Sequence, residues 1–431
     1  METDIVIIGG GAAGMMAAAG AGKFGAHAVV LEKMPRPGRK IMISGKGRCN
    51  FTNMKAWQDF SAHVHPKAAF LKNAFYNFTP EDTVAFFREN GMESVVERGD
   101  RVFPASYKAS DVVDTLVKAM KKAGAELVAG AAVTGIRRDQ EKFVVSAAGM
   151  EDISAGKLIL ATGGLSYPGT GSTGDGYAWA ENFGHRTTRR FPSLTALVPS
   201  GYKSLPDGMP EKGHIDRALP LSDLGRLLAG NSLRNITLTA IIDGNPAAEE
   251  FGDLDFTDGG IEGPCGFRVS RKCVNAIDNG SKVSFRIDLK PAVAESDLEN
   301  RIGRLWKEIG NDRRSAGKSH RDRFAILLGK LIPMSLAEGF LRSSSGTDVG
   351  NLAHRLKNWE FRIPGYVGYE RCVVTAGGVA TDGISPRTME SRTIPGLFMA
   401  GEILDLDCDT GGYNLQTAFS TGMLAGMSAA K

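Results

Sequence analysis

The segment Asp4-Ile5-Val6-Ile7-Ile8-Gly9-Gly10-Gly11-Ala12-Ala13-Gly14 decides the reading of this chain. Five residues, mostly β-branched and apolar, predict a buried parallel strand. They run into a glycine turn and then an Ala/Met-rich stretch, to about Phe24, that predicts a helix. A second apolar strand, Ala28-Val29-Val30-Leu31, ends in Glu32. Gly9, Gly11 and Gly14 therefore occupy G-x-G-x-x-G positions in a β-turn-α-β unit, with an acid about 20 residues further on. Each part has a mechanical reason. Gly9 permits the turn, Gly11 lets a pyrophosphate lie against the backbone, and Gly14 lets helix pack on strand. The helix N-terminus offers free N–H groups to phosphates, and Glu32 offers acceptors to a ribose.

The rest of the chain separates a flavin from a nicotinamide dinucleotide. The second strand leads into Pro35-Arg36-Pro37-Gly38-Arg39-Lys40 and Ser44-Gly45-Lys46-Gly47-Arg48-Cys49-Asn50, a basic, glycine-rich loop placed where a longer flavin dinucleotide continues. Lys157-Leu158-Ile159-Leu160-Ala161-Thr162-Gly163-Gly164 reads as a strand with the small-residue end that closes FAD-binding folds. Gly169, Gly171 and Gly174 repeat the glycine spacing, but no strand directly precedes them and no acid-tipped strand follows, so a second Rossmann domain is not expected. Near the C-terminus Leu397-Phe398-Met399-Ala400-Gly401-Glu402 predicts another strand, and Gly411-Gly412-Tyr413-Asn414 opens a final helix. Leu415, Ala418, Phe419, Met423 and Met427 share a core face of that helix. Its first N–H groups, Asn414 to Gln416, are expected to aim at the N1/C2=O edge of a flavin, where negative charge appears on reduction.

Composition narrows the remaining classes. The chain has 431 residues, 54 of them glycine, and a formal charge of +4; glycine at about one residue in eight is well above the usual ~7%. The charge is too small to imply a nucleic-acid or membrane partner by itself. Met1-Glu2-Thr3-Asp4 lacks a basic n-region, and no apolar run reaches the length needed to span a bilayer, so a cytoplasmic protein is expected. Cys49, Cys265, Cys273, Cys372 and Cys408 are scattered, without a C-x-x-C, which argues against a disulfide framework or dithiol centre. His27, His63, His65, His185, His214, His320 and His354 show no metal-ligand spacing, and no metal site is expected.

With these motifs in hand, the sequence resembles the BaiN/YhiN-type bacterial FAD-dependent oxidoreductases, among them bile-acid enone reductases and aminoacetone oxidases. The resemblance rests on Ile7–Gly14, on Gly38-Arg39-Lys40 through Asn53, on Arg101-Val102-Phe103-Pro104 and on Ala161–Gly176. It continues in Gly377-Gly378-Val379, Thr388-Met389-Glu390-Ser391 and Gly401-Glu402 through Gln416. It implies an α/β fold: a Rossmann-like FAD-binding domain built from both chain ends (1–190 and 366–431), with an inserted mixed β-rich plus helical domain (191–365) that shapes the substrate cavity. Within the insert, Ile236–Ile242 and Val283–Leu289 read as strands, and 295–358 as helical and charge-rich. Asp258 and Glu262 stand where the family has His and Ser, and Cys408 where glycine is common.

Carried over by position, Gly9, Gly11, Ala13 and Gly14 would hold the pyrophosphate, Glu32 and Lys33 the ribose, and Val133 the adenine. Arg39, Lys40, Ser44, Gly45, Gly47, Arg48, Cys49 and Asn50 would line the central part of FAD, beside Thr162 and Gly163. Gly401, Glu402, Gly412, Asn414, Leu415 and Gln416 would hold the ribityl chain and ring. The activity implied is NAD(P)H-dependent reduction of a C=C conjugated with a carbonyl in a small hydrophobic compound of bile-acid or steroid type. NADH or NADPH would act as transient reductant and Tyr413, Tyr167 or Cys49 as proton donor; Cys49, beside Arg48, could have a lowered pKa. Two alternatives stay open: an amine oxidase of aminoacetone type that forms hydrogen peroxide, and an RNA-binding flavoprotein. The latter would use Arg301, Arg304, Lys307, Arg313, Arg314, Lys318, Arg321 and Arg323, eight cations facing three acids; a solvated helix face is the plainer reading, and a nucleic-acid partner is not expected. The residues leave the oligomeric state open.

Overall fold

A computed structural model describes residues 1–315 and 317–431. The chain forms two compact units, Met1–Phe191 with Val373–Lys431, and Pro192–Cys372.

The first unit is organised by a seven-stranded sheet. Its elements are β1 (Glu2–Ile8), α1 (Ala12–Gly22), β2 (Ala28–Glu32), β3 (Glu126–Ala129), β4 (Val133–Asp139), β5 (Lys142–Ala147), β6 (Ile153–Leu160) and β7 (Leu397–Met399), followed by α2 (Tyr413–Ala429). The strand order is β3-β2-β1-β6-β5-β4. β2 and β6 flank β1 in parallel, with Ile8 opposite both Leu31 and Leu160. β7, from the far end of the chain, lies parallel to the C-terminal half of β6, Leu160 opposite Met399. Ile5, Val6 and Ile7 are wholly buried, as a strand covered on both faces requires.

α1 and α2 cross in close contact because neither carries bulk at the crossing. A Cβ on Gly422 or Gly426 would overlap the carbonyl oxygens of Ala13 and Ala17. The two helices that open at the glycine motifs are thereby held side by side, with Met15, Met16, Phe419 and Met423 buried around them.

The second unit has an eight-stranded, mainly antiparallel sheet, in which Ser232–Ile242, Asn245–Thr257 and Val283–Asp288 are the long strands. Its core gathers Phe256, Phe340 and Phe361 around Trp359, ring centroids 5.6, 5.4 and 4.8 Å away. Helices Glu295–Asn311, His320–Gly329, Met334–Ser343 and Leu352–Lys357 occupy the stretch read as helical. Among the described residues no single helix is long and apolar enough to cross a membrane.

Candidate functional site

Both chain ends bring a glycine-led helix start to the same end of the first unit's sheet. β1 delivers Gly9–Gly11 into α1, whose first residue is Ala12, and Gly11 provides no side-chain cap. α2 begins at Tyr413 after Gly412, again with no side-chain cap. Such helix starts leave backbone N–H groups without partners inside the helix, where they favour negative charge. A Cβ on Gly11 would meet nothing within 4 Å, so the approach to the first helix start is open. At the second, Gly412 has φ +97°, and a Cβ there would strike the Thr52 carbonyl and come within 2.9 Å of Asn50 Oδ1. That Asn50 oxygen is buried without a hydrogen-bond partner. A buried orphan acceptor beside an uncapped helix start calls for a donor from outside the chain. The two helix starts, Glu32 between β2 and Gly10, and the Asn50–Gly412 contact fit a dinucleotide whose ring reaches α2.

Several side chains expected to touch the cofactor are engaged with the protein instead. Glu32 accepts the Gly10 and Met34 N–H groups, each at 2.8 Å, so its carboxylate first fixes the glycine turn; burial pushes its pKa up. Lys33 is paired with Asp175 at 2.6 Å and with Thr173. Lys40 donates to Glu402 and to Ser166, both at 2.7 Å, while Glu402 also accepts from Ser166 Oγ (2.6 Å) and Thr375 N–H (2.9 Å). Burial pushes the Glu402 carboxyl up, and the Lys40 ammonium with the hydrogen bonds of Lys40, Ser166 and Thr375 more than offsets it, so its pKa lies below the usual value.

The side chains of Gln416 and Asn414 are both engaged with the protein. Gln416 is fully buried; its oxygen accepts from Thr52 and Thr83 and its nitrogen donates to Phe78 O and Ser420 Oγ, which uses the whole carboxamide in the core. The Asn414 carboxamide brackets Cys408, accepting from its N–H at 2.9 Å and donating to its carbonyl at 2.8 Å. The Gln416 N–H donates to Gly412 O at 3.1 Å, a correction to the expectation that it aims at a flavin, because the helix's own hydrogen bonding begins there. Arg48 lies over the rings of Phe103 (5.0 Å) and Tyr107 (5.9 Å), and Arg39 is exposed. Ser44 donates to Ile41 O. Gly45 and Gly47 have positive φ. Ala13 and Gly401 are buried, and Thr162, Gly163, Val133 and Leu415 are half-buried.

Cys49 is a further correction. The thiol is fully buried, and burial raises its pKa to about 12, only partly countered by a hydrogen bond with Ser44. Arg48, spread over two rings, does not lower it. Cys408 is likewise shifted up, by burial first and by Asp407 and Asp409 after it. All five cysteines are buried. Iodoacetamide at pH 8 is therefore expected to leave the native protein unmodified and to label it only in denaturant; a native adduct at Cys49, read by intact and peptide mass, would overturn this. Tyr167 is half-buried at φ +52°, and Tyr413 is buried.

In the second unit, Asp258 and Glu262 are bound by arginines. Asp258 pairs with Arg217 at 2.9 Å and Arg371 at 3.2 Å, and the buried Glu262 accepts from Arg371 at 2.7 and 3.1 Å. Arg301, Arg304, Lys307 and Arg313 are exposed without a carboxylate partner among the described residues, Lys318 and Arg321 act on the Asp322 carboxylate, and Arg314 pairs with Asp312. Ala316, inside this stretch, lies outside the described residues.

A parallel sheet with the glycine turn, the acid-tipped second strand and the open helix start defines a dinucleotide-binding Rossmann unit. Residues 3–428 match the HI0933-like protein Rossmann domain family. The chain belongs to that family, in keeping with the resemblance drawn from its motifs, and is an FAD-dependent oxidoreductase. It is 31% identical to a ribosomal RNA dihydrouridine synthase of Escherichia coli, over 97% of this chain and 96% of that one. It is 30% identical to a ribosomal RNA dihydrouridine synthase of Haemophilus influenzae, over 99% and 98%. It is also 29% identical to a 3-dehydro-bile acid delta(4,6)-reductase of Clostridium scindens, over 99% of both chains.

Proposed function

We propose that this oxidoreductase takes electrons from NADH or NADPH and saturates a C=C conjugated with a carbonyl, and that the carbonyl compound is a uracil ring in ribosomal RNA. The orphan Asn50 oxygen beside the uncapped start of α2 carries the cofactor half of this reading. FAD, when bound, supplies hydride transfer between nicotinamide and substrate. The chain's own residues would orient it: the α1 start would hold the pyrophosphate, Glu32 braces the turn, and the backbone at the α2 start would stabilise the ring's electron-rich edge.

The reaction class is supported by what the relatives' names have in common. A dihydrouridine is a uridine whose ring C=C, conjugated with a carbonyl, has been reduced. A delta(4,6)-reductase of a 3-dehydro bile acid reduces the same kind of bond. RNA is favoured over the hydrophobic compound expected from the sequence by two relatives bearing that name and by the exposed cations Arg301, Arg304, Lys307 and Arg313, which have no carboxylate partner among the described residues. The bile-acid relative keeps the hydrophobic enone as the second reading.

The test is one anaerobic experiment with two acceptors. The yellow protein is expected to be bleached by NADH or NADPH. Unmodified ribosomal RNA is then expected to restore the colour with formation of dihydrouridine, read by nuclease digestion and mass spectrometry. Recovery with a 3-oxo-4,6-diene bile acid and not with RNA would select the second reading. Hydrogen peroxide from aminoacetone without nicotinamide would overturn both.

A further inference from the structure

Reduction of a conjugated C=C consumes a proton as well as a hydride, and two of the three side chains expected to give it serve poorly: Cys49 holds a buried, high-pKa thiol, and Tyr413 is buried beneath another ring. That ring is His63. Two short antiparallel strands, Val64–His65 and Asp407–Cys408, pair with His65 opposite Asp407. The pairing sets Asp409 against both histidines: its carboxylate lies 2.8 Å from His63 Nδ1 and 3.3 Å from His65 Nε2, and its N–H donates to the His63 carbonyl at 3.0 Å. The His63 imidazole stacks on Tyr413, with centroids 4.3 Å apart and planes 21° from parallel. Tyr413 is the first residue of α2, and Asn414 anchors Cys408 and the Asp409 carbonyl to the same turn. The cluster is thus fixed to the helix start that would face the ring of the cofactor.

We propose that His63, held by Asp409, is the proton donor of the reduction, with Asp409 and His65 as positioning residues; the inference rests on the conjugated-bond reading above. His63 Nδ1 is spent on the carboxylate, which leaves Nε2 to release the proton. The β carbon of the substrate takes hydride from the reduced cofactor, and the C=C pair moves toward the carbonyl oxygen as an enolate. The α carbon then takes the proton from Nε2 as the carbonyl re-forms, and the ring regains a proton from water. The geometry suits this work. His63 and His65 side chains are 29% and 34% exposed, open enough to exchange protons, while Asp409 is 19% exposed. Burial pushes the Asp409 carboxyl up, but its hydrogen bonds with His63 and His65 and their charge bring it to about 2, so it stands as a carboxylate acceptor throughout the working range. The groups facing it are those two histidines, and Tyr413 covers the other face of His63. Among the described residues the cluster is not placed to hold a metal.

His63→Ala, Asp409→Asn and the wild-type holoprotein are compared in anaerobic stopped flow, with NADPH first and unmodified ribosomal RNA second. In H63A, reoxidation by RNA is expected to slow by about 100-fold or more, far beyond any change in bleaching by NADPH, and to recover in part with added imidazole. D409N is expected to slow the same step less. Nitrogen-15 NMR of the histidines, which does not depend on turnover, is expected to show a strongly hydrogen-bonded Nδ1 proton in the wild type and none in D409N. Flavin content and thermal melts of the variants identify any that fail to fold, and the NMR signature of the wild type then stands as the second test. Wild-type reoxidation matched by H63A, or a His63 ring without the Nδ1 bond, overturns the inference alone. A wild type that RNA does not reoxidise overturns the proposed substrate, and failure with a conjugated bile acid as well overturns the reaction and the proton donor with it.

Discussion

Gly14→Ala is expected to yield a protein that melts well below the wild type and purifies without flavin, whereas Gly11→Ala is expected to melt normally and still lose flavin. The two glycines share one motif and differ in what a methyl would meet. At Gly14 the added Cβ would overlap the Gly9 carbonyl oxygen, with Ala161 Cβ next at 3.4 Å. Gly9 is backbone of the turn, and the turn is tied to Leu31 O through its N–H at 2.8 Å and, through Gly10, to Glu32. Neither partner can step aside without moving α1 off β1. Overpacking of this kind costs about 1–3 kcal/mol where side chains can adjust, and the backbone contact places Gly14 at or beyond the upper end. At Gly11 the methyl meets no protein atom, and φ is −85°, which alanine adopts freely. Its only consequence is bulk at the mouth of the α1 start, where a pyrophosphate would approach. Circular-dichroism melts and visible flavin absorbance separate the two effects. A Gly14→Ala protein with an unshifted melt, or a yellow Gly11→Ala protein, would show that the motif does not work in this way.

What the sequence disclosed was local. Strand, glycine turn, helix and acid follow one another within 30 residues, so period and spacing suffice to read β1, α1 and β2. The two ends of the chain each carry such a signature, and β7 does join the sheet that β1 begins. Side-chain destinations were another matter. Lys40 and Glu402 look like separate ligands in separate motifs until the fold brings residues 362 positions apart within 2.7 Å. Gln416 reads as a site residue because its neighbours are, yet helix phase turns its amide toward Thr52, Thr83 and Phe78. His63-x-His65 shows no metal spacing, and nothing near it announces the carboxylate 344 residues away that lies between the rings. Cys49, next to an arginine in sequence, is turned from it by a left-handed backbone, φ +56°. Adjacency along the chain predicts electrostatics only where both side chains leave the backbone on the same side.

Lys40→Met is expected to cost about 3 kcal/mol at neutral pH, because it strands the Glu402 charge among Ser166, Thr375 and the protein interior. The value sits at the low end of the range for broken buried pairs, since the Lys40 and Glu402 side chains keep 27% and 18% of their exposure. The pH dependence identifies the cause. In the wild type the Glu402 pKa is depressed by folding, so its contribution is complete above the unfolded carboxylate value and is lost as pH falls through the lower folded value. Without Lys40, burial dominates and the folded pKa moves above the unfolded one, which reverses the sign: the variant gains relative stability as pH falls and the carboxyl takes a proton. The gap between wild type and Lys40→Met is therefore expected to narrow between neutral pH and pH values below the ordinary carboxylate range. Lys40→Met/Glu402→Gln is expected to recover most of the loss at neutral pH, because the amide oxygen still accepts from Ser166 and Thr375 while no charge remains to be stranded. Urea melts of the four proteins at two pH values close the cycle. A gap of the same size at both pH values, or a double variant no better than Lys40→Met, would mean that lysine packing and not charge holds this corner of the site.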